Sequence, residues 1–522
     1  MPFEKWIFAG ALPLFAIGCQ WDDSALEPWV APVEQAQPIA LQGSVALSDK
    51  ELDRLVFVTS DEPQELGTTA FSIGKNPTKV IASPDKSQLF VLSRGVVPAT
   101  KKTDQGPQLQ VFDGGTEPSL SHSFELDDPM SRLALDPEGQ WVAAFGGDAT
   151  VTNQNELVLL SLEEDAGQEP VSKTIRSFGG VPEELVFTDR LRLPEGGARR
   201  FLVVRTDRDV TLVDLKNLDQ SEVTIRLPEQ SDGAALTPAQ VVFHDGDEED
   251  RTDARIAIRL EESSDIVLLQ LGPSDDGDRD FSVVVNIVDV GGVPSTLDFV
   301  NTDGGLRLAA LVPGNRRAVL VNPETTLAES LELPASFSEI SRAPGSESEA
   351  DVALLWGPGE QVAFWELGSS SANPYRSIDA TQVSSAVEEV IDVPPPNDHL
   401  KVLTTGSSTF VVVDLKNRES FPLRTTTSGY RVVPSPDGER LWVYFRGGEL
   451  FSSVTLSDLH PSEISVSPGI GGVYEIERAD GGRSVVVLHS STDSWSATVL
   501  DAQDPNSVET SYFPAIFWES MK

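Results

Sequence analysis

One short grammar recurs along this chain, and it limits the possible folds more than any other feature. An apolar strand runs into Ser-Pro-Asp or a variant, then come a second apolar strand, a polar turn, a third strand ending near Asp, and a fourth. The clearest copy reads Val80-Ile81-Ala82-Ser83-Pro84-Asp85, then Gln88 to Leu92, Leu109 to Asp113, and Ser121 to Leu126. Others begin at Leu133-Ala134-Leu135-Asp136-Pro137-Glu138-Gly139 and at Val432-Val433-Pro434-Ser435-Pro436-Asp437-Gly438. Pro fixes φ, Asp bonds its own backbone and Gly tolerates positive φ, so Pro-Asp-Gly makes a tight turn between antiparallel strands. The strands are short and rich in Val, Leu and Phe, and Gly, Pro, Asp and Ser separate them, which favours an all-β chain.

A single four-stranded unit cannot bury both of its apolar faces. Stacking such units radially does so, and closing the ring leaves only short edges. The repeat length agrees. Val213-Asp214-Leu215-Lys216-Asn217 and Val413-Asp414-Leu415-Lys416-Asn417 are identical and lie 200 residues apart, which is four steps of about 50 residues. Gly179-Gly180-Val181-Pro182 and Gly291-Gly292-Val293-Pro294 recur just ahead of first strands. The fold class expected is therefore an all-β β-propeller of four-stranded blades. The Ser-Pro-Asp-Gly turn, the aromatic-rich second strand and the Val-x-Val-x-Asp third strand resemble the propeller repeats of the YVTN and YncE-like group. They are similar to TolB-type repeats to a smaller extent. That resemblance implies a fold and no particular activity.

Third-strand segments near Asp113, Leu162, Asp214, Leu269, Val321, Trp365, Asp414, Leu456 and Asp501 suggest nine units, with a partial one at Leu55 to Gly74. The irregular stretches Gly246 to Asp253 and Glu347 to Asp351 are where an over-count is expected, so the central expectation is about eight blades, with seven to ten allowed. The pattern shows no first strand ahead of Leu55-Val56-Phe57-Val58. Ala515-Ile516-Phe517-Trp518 is expected to supply it and so close the ring.

The single Cys of the chain, Cys19, directly follows the apolar stretch Trp6 to Ile17. That stretch suits a secretory signal and is too short to span a bilayer. Without a second thiol there is no intrachain disulfide and no Cys-based zinc site. Ala16-Ile17-Gly18-Cys19 resembles a bacterial lipobox. The resemblance implies a lipoprotein signal peptide over 1–18, acylation of Cys19 and a flexible tether over 19–46, with the propeller filling 47–522. It also implies a lipid-anchored protein of the bacterial cell envelope, with Gln20 after the Cys favouring the outer over the inner membrane. With 82 acidic and 39 basic residues the formal charge is -43, which repels phosphate backbones, so no nucleic-acid partner is expected.

No nucleophile elbow, Walker A motif or dinucleotide fingerprint is present, and the five histidines (His122, His244, His399, His460, His489) show no ligand spacing. Two acidic, Gly-containing stretches are candidate calcium loops through Asp245 and Asp247 and through Asp275, Asp276 and Asp278, because calcium gathers six to eight oxygens. Neither stretch matches the full EF-hand pattern, and a solvated charge run is the ordinary reading of both. No other cofactor is expected. Trp141, Trp356, Trp365, Trp442 and Trp495 are expected in the packing between blades, with a saccharide-stacking platform as the alternative. The leading functional expectation is a non-catalytic scaffold for a protein or glycan partner. An envelope enzyme of the lactonase-like or quinoprotein-like kind, or a structural subunit of an envelope complex, stays open at this point.

Overall fold

Ten four-stranded antiparallel sheets follow one another along the chain in the computed structural model. It describes residues 37–513 apart from 50, 51, 64, 148, 150, 163–168, 194–196, 230–234, 247–253, 273, 275–280, 344–350, 369–376, 491–494 and 507–510. The sheets span 37–72, 77–125, 132–174, 182–226, 238–289, 296–332, 339–382, 387–424, 430–465 and 470–513, and are numbered here as blades 1 to 10. Within each blade the strands pair in sequence order. First strands of neighbouring blades approach one another, for example Pro238–His244 and Thr296–Thr302. First strands therefore lie innermost, and fourth strands form the outer rim. One 3-10 turn, Pro313–Asn315, is the only helical element among the described residues. No described helix is long and apolar enough to cross a membrane.

Side-chain alternation builds the ring. In blade 4, Phe201, Val203, Val210 and Leu212 pack toward blade 5, while Leu202, Val204, Val213 and Leu215 pack toward blade 3. Successive side chains leave a strand on opposite faces, and both faces are covered. This is why the middle strands read as unbroken apolar runs instead of alternating ones. Ten core clusters result, one at each interface between adjacent blades. The tenth joins Val45, Leu47, Val56 and Val58 of blade 1 to Ile476, Val486, Leu488 and Val499 of blade 10. The ring is closed.

Closure does not use the expected device. Blade 1 has its own first strand, Gln37–Ala40, paired with Ser44–Asp49. Blade 10 ends in its own fourth strand, Ser511–Phe513, and 515–518 lie outside the described residues. The two ends meet through packed faces, through Glu477 N–H donating to the Gln42 carbonyl at 2.7 Å, and through the Ser60 and Ser484 hydroxyls at 2.9 Å. Gln37–Ala40 escaped the sequence reading because its turn is Leu41-Gln42-Gly43, without Ser-Pro-Asp, and because it falls inside the stretch assigned to the tether. The stretches suspected of over-counting are connections inside blades 5 and 7 and do not separate units. The nine third strands are therefore real, the partial unit is a whole blade, and the count is ten, at the upper end of the seven to ten expected and above the central value of eight.

The turn chemistry is as the sequence predicts. Ser83 and Ser435 each accept the amide five residues on, from Gln88 and Arg440, both at 2.9 Å. Each hydroxyl also donates to the turn carboxylate, Asp85 at 2.6 Å and Asp437 at 2.5 Å. Burial works against ionisation of Asp85 and Asp437. The hydrogen bonds from these hydroxyls and from the following amides outweigh it and hold both carboxyls below the usual range. In blade 3 a carboxylate replaces the Ser: Asp136 accepts the amides of Glu138 at 3.2 Å and Gln140 at 3.0 Å. The fourth turn residue is left-handed in all three copies, at Lys86 (φ 60), Gly139 (φ 71) and Gly438 (φ 67).

Candidate functional site

Blade 4 breaks the pattern of the ring. Between its first strand, Pro182–Phe187, and its second, Phe201–Thr206, the chain inserts a hairpin, Leu191–Leu193 with Gly197–Arg199. Leu191 and Leu193 are buried in the core shared with blade 5, which holds the hairpin down. The Arg192 amide bonds the Asp245 carbonyl of blade 5 at 2.9 Å. Arg190, Arg192, Arg199 and Arg200 fall within eleven residues of a chain that is otherwise strongly acidic.

Two of these arginines are buried and held by carboxylates. Arg199 Nη1 lies 2.8 Å from Asp214, at the end of the third strand of blade 4. Arg200 pairs through Nη1 with Asp136 of blade 3, which is fully buried, and through Nη2 with Glu138 at 2.8 Å; its Nε donates to the Thr188 carbonyl at 3.1 Å. Glu138 is shared, since Arg190 Nη2 reaches its other oxygen at 2.8 Å. The Arg190 hydrogen bond, with burial opposing it and Arg200 adding to it, holds the Glu138 carboxyl below its ordinary range. Asp189 goes the other way: burial and the nearby Asp245 carboxylate raise it against the pull of Arg200.

These pairs frame a cleft of about 550 Å³ between blades 3 and 4. The half-buried Trp141 ring, Leu215 and Leu218 give apolar walls, while Gln140, Arg190 and Lys216 present donors. Among the described residues the lining contains no His, Ser, Thr, Cys or carboxylate. It can hold an anionic or amphipathic group but has no nucleophile paired with a base.

The first and second strands of blades 4 to 7 carry a second set of charges, and several of them are tied between blades. Arg205 pairs with Glu184 at 2.8 Å and reaches the Pro238 carbonyl at 2.8 Å. Arg342 pairs with Asp298 at 2.7 Å and lies 3.5 Å from Asp351, which in turn accepts the Asn301 amide at 2.7 Å. Burial pushes the Asp298 carboxyl up against the pull of Arg342. Burial likewise raises Glu339, with Arg259 opposing the shift, and lowers Arg259.

The residues singled out from sequence do not converge. His122, His244, His399, His460 and His489 lie in blades 2, 5, 8, 9 and 10. Among the described residues no group of three His, Cys, Asp or Glu is placed to hold a metal ion. Asp245 follows the first strand of blade 5 and is exposed, with its carboxylate 3.9 Å from His244 Nδ1. Asp247, Asp275, Asp276, Asp278 and Cys19 lie outside the described residues. Trp365 and Trp442 are buried between blades, and Trp442 donates to Glu475 at 2.9 Å. Trp141 alone of the five lines the cleft described here. The sequence did hold a signal for this cleft: four arginines in eleven residues against an acidic background. Searches aimed at carboxylates and histidines pass over it.

No family model matches the chain, and no curated protein matches it. Among solved structures it is similar to a eukaryotic initiation factor, at 9% identity over 92% of this chain and 97% of that one, with a TM-score of 0.44. It is also similar to the dihydro-heme d1 dehydrogenase NirN in complex with DHE, at 14% identity over 83% and 75%, TM-score 0.39. A third is apo AztD from Citrobacter koseri, at 12% identity over 73% and 95%, TM-score 0.36. These likenesses bear on no activity of this chain.

Proposed function

We propose that this propeller is a lipid-anchored scaffold of the bacterial cell envelope that binds without catalysis, and that it recognises an acidic glycan in the cleft between blades 3 and 4. The observation that carries the reading is the lining of that cleft. An aromatic face beside guanidinium, ammonium and amide donors suits a saccharide ring bearing a carboxylate, and none of the described lining residues supplies a general base or nucleophile. The fixed pairs of Arg199 and Arg200 support it further, because they immobilise the wall and leave Arg190 and Lys216 at the mouth.

Titration of the protein with oligogalacturonate, followed by calorimetry, tests the binding. The Arg190→Glu, Lys216→Glu double variant is expected to bind about tenfold or more weakly, since it replaces attraction by like-charge repulsion. Neutral oligogalactose is expected to bind measurably more weakly than the acid. Equal binding of both sugars, or no loss in the variant, would exclude this cleft. The anchor has its own test. Cys19→Ser is expected to move the protein from the membrane to the soluble fraction and to abolish fatty-acid labelling in a bacterium with lipoprotein processing. A wild-type chain that takes up no label would remove the anchor from the proposal.

A further inference from the structure

The outermost strand of blade 5 differs from the other nine. Ser282–Asp289 reads Ser-Val-Val-Val-Asn-Ile-Val-Asp, is eight residues long, and has no Pro, Gly or charge before its last position. Its hydrogen-bonded strand partner is Asp265–Gly272 on one side, and it forms the edge of its sheet. Exposed edges are normally blunted by shortness, charge, Pro or a bulge. Much of the rim elsewhere uses these devices. The outer strand of blade 10 has three residues, those of blades 3 and 4 have four, that of blade 2 is bulged, and those of blades 8 and 9 contain Pro422 and Pro461.

Blade 5 instead exposes aliphatic side chains along its edge. Eleven large hydrophobic residues are exposed among the described residues, and three of them, Val284, Val285 and Ile287, fall in this one strand at 51%, 44% and 56% exposure. Val283, Val285 and Ile287 project to one face, by the period of two. That face continues into a cleft of about 480 Å³ toward blade 4, walled by Val223, Ile225 and Phe281. An edge strand with one strand neighbour among the described residues, beside an alternating apolar row, is what strand addition uses: main-chain bonds give affinity and alternate side chains give specificity.

We propose that this edge receives an extended segment of a partner protein as a fifth strand of blade 5, with aliphatic side chains at alternate positions and basic residues flanking them. The charge of the chain argues for that occupant. At -43 it attracts a basic segment, repels an acidic one, and repels a second copy of itself. The proposal is independent of the acidic-glycan reading, which concerns blades 3 and 4.

The test uses the full chain and a fluorescein-labelled peptide, Lys-Val-Thr-Val-Thr-Val-Thr-Lys, with anisotropy as the readout. Saturable binding is expected. It should weaken about tenfold or more in the Val285→Ser, Ile287→Ser variant, and to a similar degree when the central Val of the peptide is replaced by Pro, which cannot donate to a ladder. A Glu-flanked peptide should bind less well than the Lys-flanked one. Both substituted side chains are exposed, so the variant should keep the wild-type circular dichroism, and the Pro peptide tests the mode on the unaltered protein in any case. No saturable binding, or binding indifferent to both the variant and the Pro, overturns the proposal. So does a dimer in sedimentation velocity that the variant dissociates, which would assign the edge to self-pairing.

Discussion

Replacing Arg200 with Met is expected to destabilise the ring by about 3–5 kcal/mol, because it strands a buried carboxylate. Asp136 has no exposed surface, and it faces the Arg200 guanidinium across the interface of blades 3 and 4. Met fills much of the vacated volume, so the loss is one of charge compensation more than packing. The amides of Glu138 and Gln140 continue to bond Asp136, but two neutral donors do not replace a buried cation. Against a typical stability of about 5–15 kcal/mol the loss is large. The urea midpoint, followed by circular dichroism, should fall sharply. Adding Asp136→Asn should recover part of the drop, since the neutral amide needs no counter-charge and its oxygen still accepts one of the two turn amides. An R200M midpoint equal to wild type would mean that the Arg200–Asp136 pair contributes nothing to stability.

Gly43→Val is expected to be nearly as damaging, for a steric reason. Gly43 lies in the first turn of blade 1, with its amide bonded to the Gly114 carbonyl of blade 2 at 3.1 Å. A Cβ at this position would stand 2.5 Å from both the Gly115 carbonyl carbon and the Thr116 nitrogen. These are backbone atoms and cannot swing aside, so blades 1 and 2 must separate. Overpacking of this kind costs about 1–3 kcal/mol and more where backbone blocks the relief, and Val adds two methyl groups to the clash. Gly115→Ala is the matched control. A Cβ there meets nothing within 4 Å, so the variant should stay within about 0.5 kcal/mol of wild type. Parallel melts of the two variants decide it: if they shift together, the seam between blades 1 and 2 is looser than these distances imply.

Sequence and structure agree where local chemistry dictates conformation. Ser83, Asp136 and Ser435 are legible as turn residues because their side chains bond their own backbone within five positions. The paired Val-Asp-Leu-Lys-Asn segments are third strands and the turns that follow, in blades 4 and 8, four blades apart as their spacing predicts. Pro182 opens a first strand, as its Gly-Gly-Val prefix suggests. Agreement fails where the determinant is non-local. Gln37–Ala40 is a strand because Ser44–Asp49 pairs with it, and four residues carry too little periodicity to announce that. The count of ten falls at the upper end of the expected seven to ten, above the central value of eight, because long connections within blades 5 and 7 look like boundaries in one dimension. The arginine cleft depends on Asp136, Glu138 and Asp214 meeting residues 190–200 across two blades, and no spacing rule connects them.

The strand order also decides how tension would reach the ring. The described chain enters through the innermost strand, Gln37–Ala40, and leaves through the outermost, Ser511–Phe513. First strands run toward the rim that carries the first-to-second-strand turns, so entry is on the opposite rim from the blade 4 hairpin and its cleft. Seventeen residues lie between Cys19 and Gln37, and the eighteen steps between the two reach at most about 60–65 Å when fully extended. A pull transmitted from Cys19 would therefore reach the ring at its hub, near the axis and at the end opposite the arginine-lined cleft. A pull on that point would peel a four-residue strand bonded along one side only, before it reached the middle strands. Unravelling of the ring under such a pull would then begin at the axle and not at the outer edge strands such as that of blade 5.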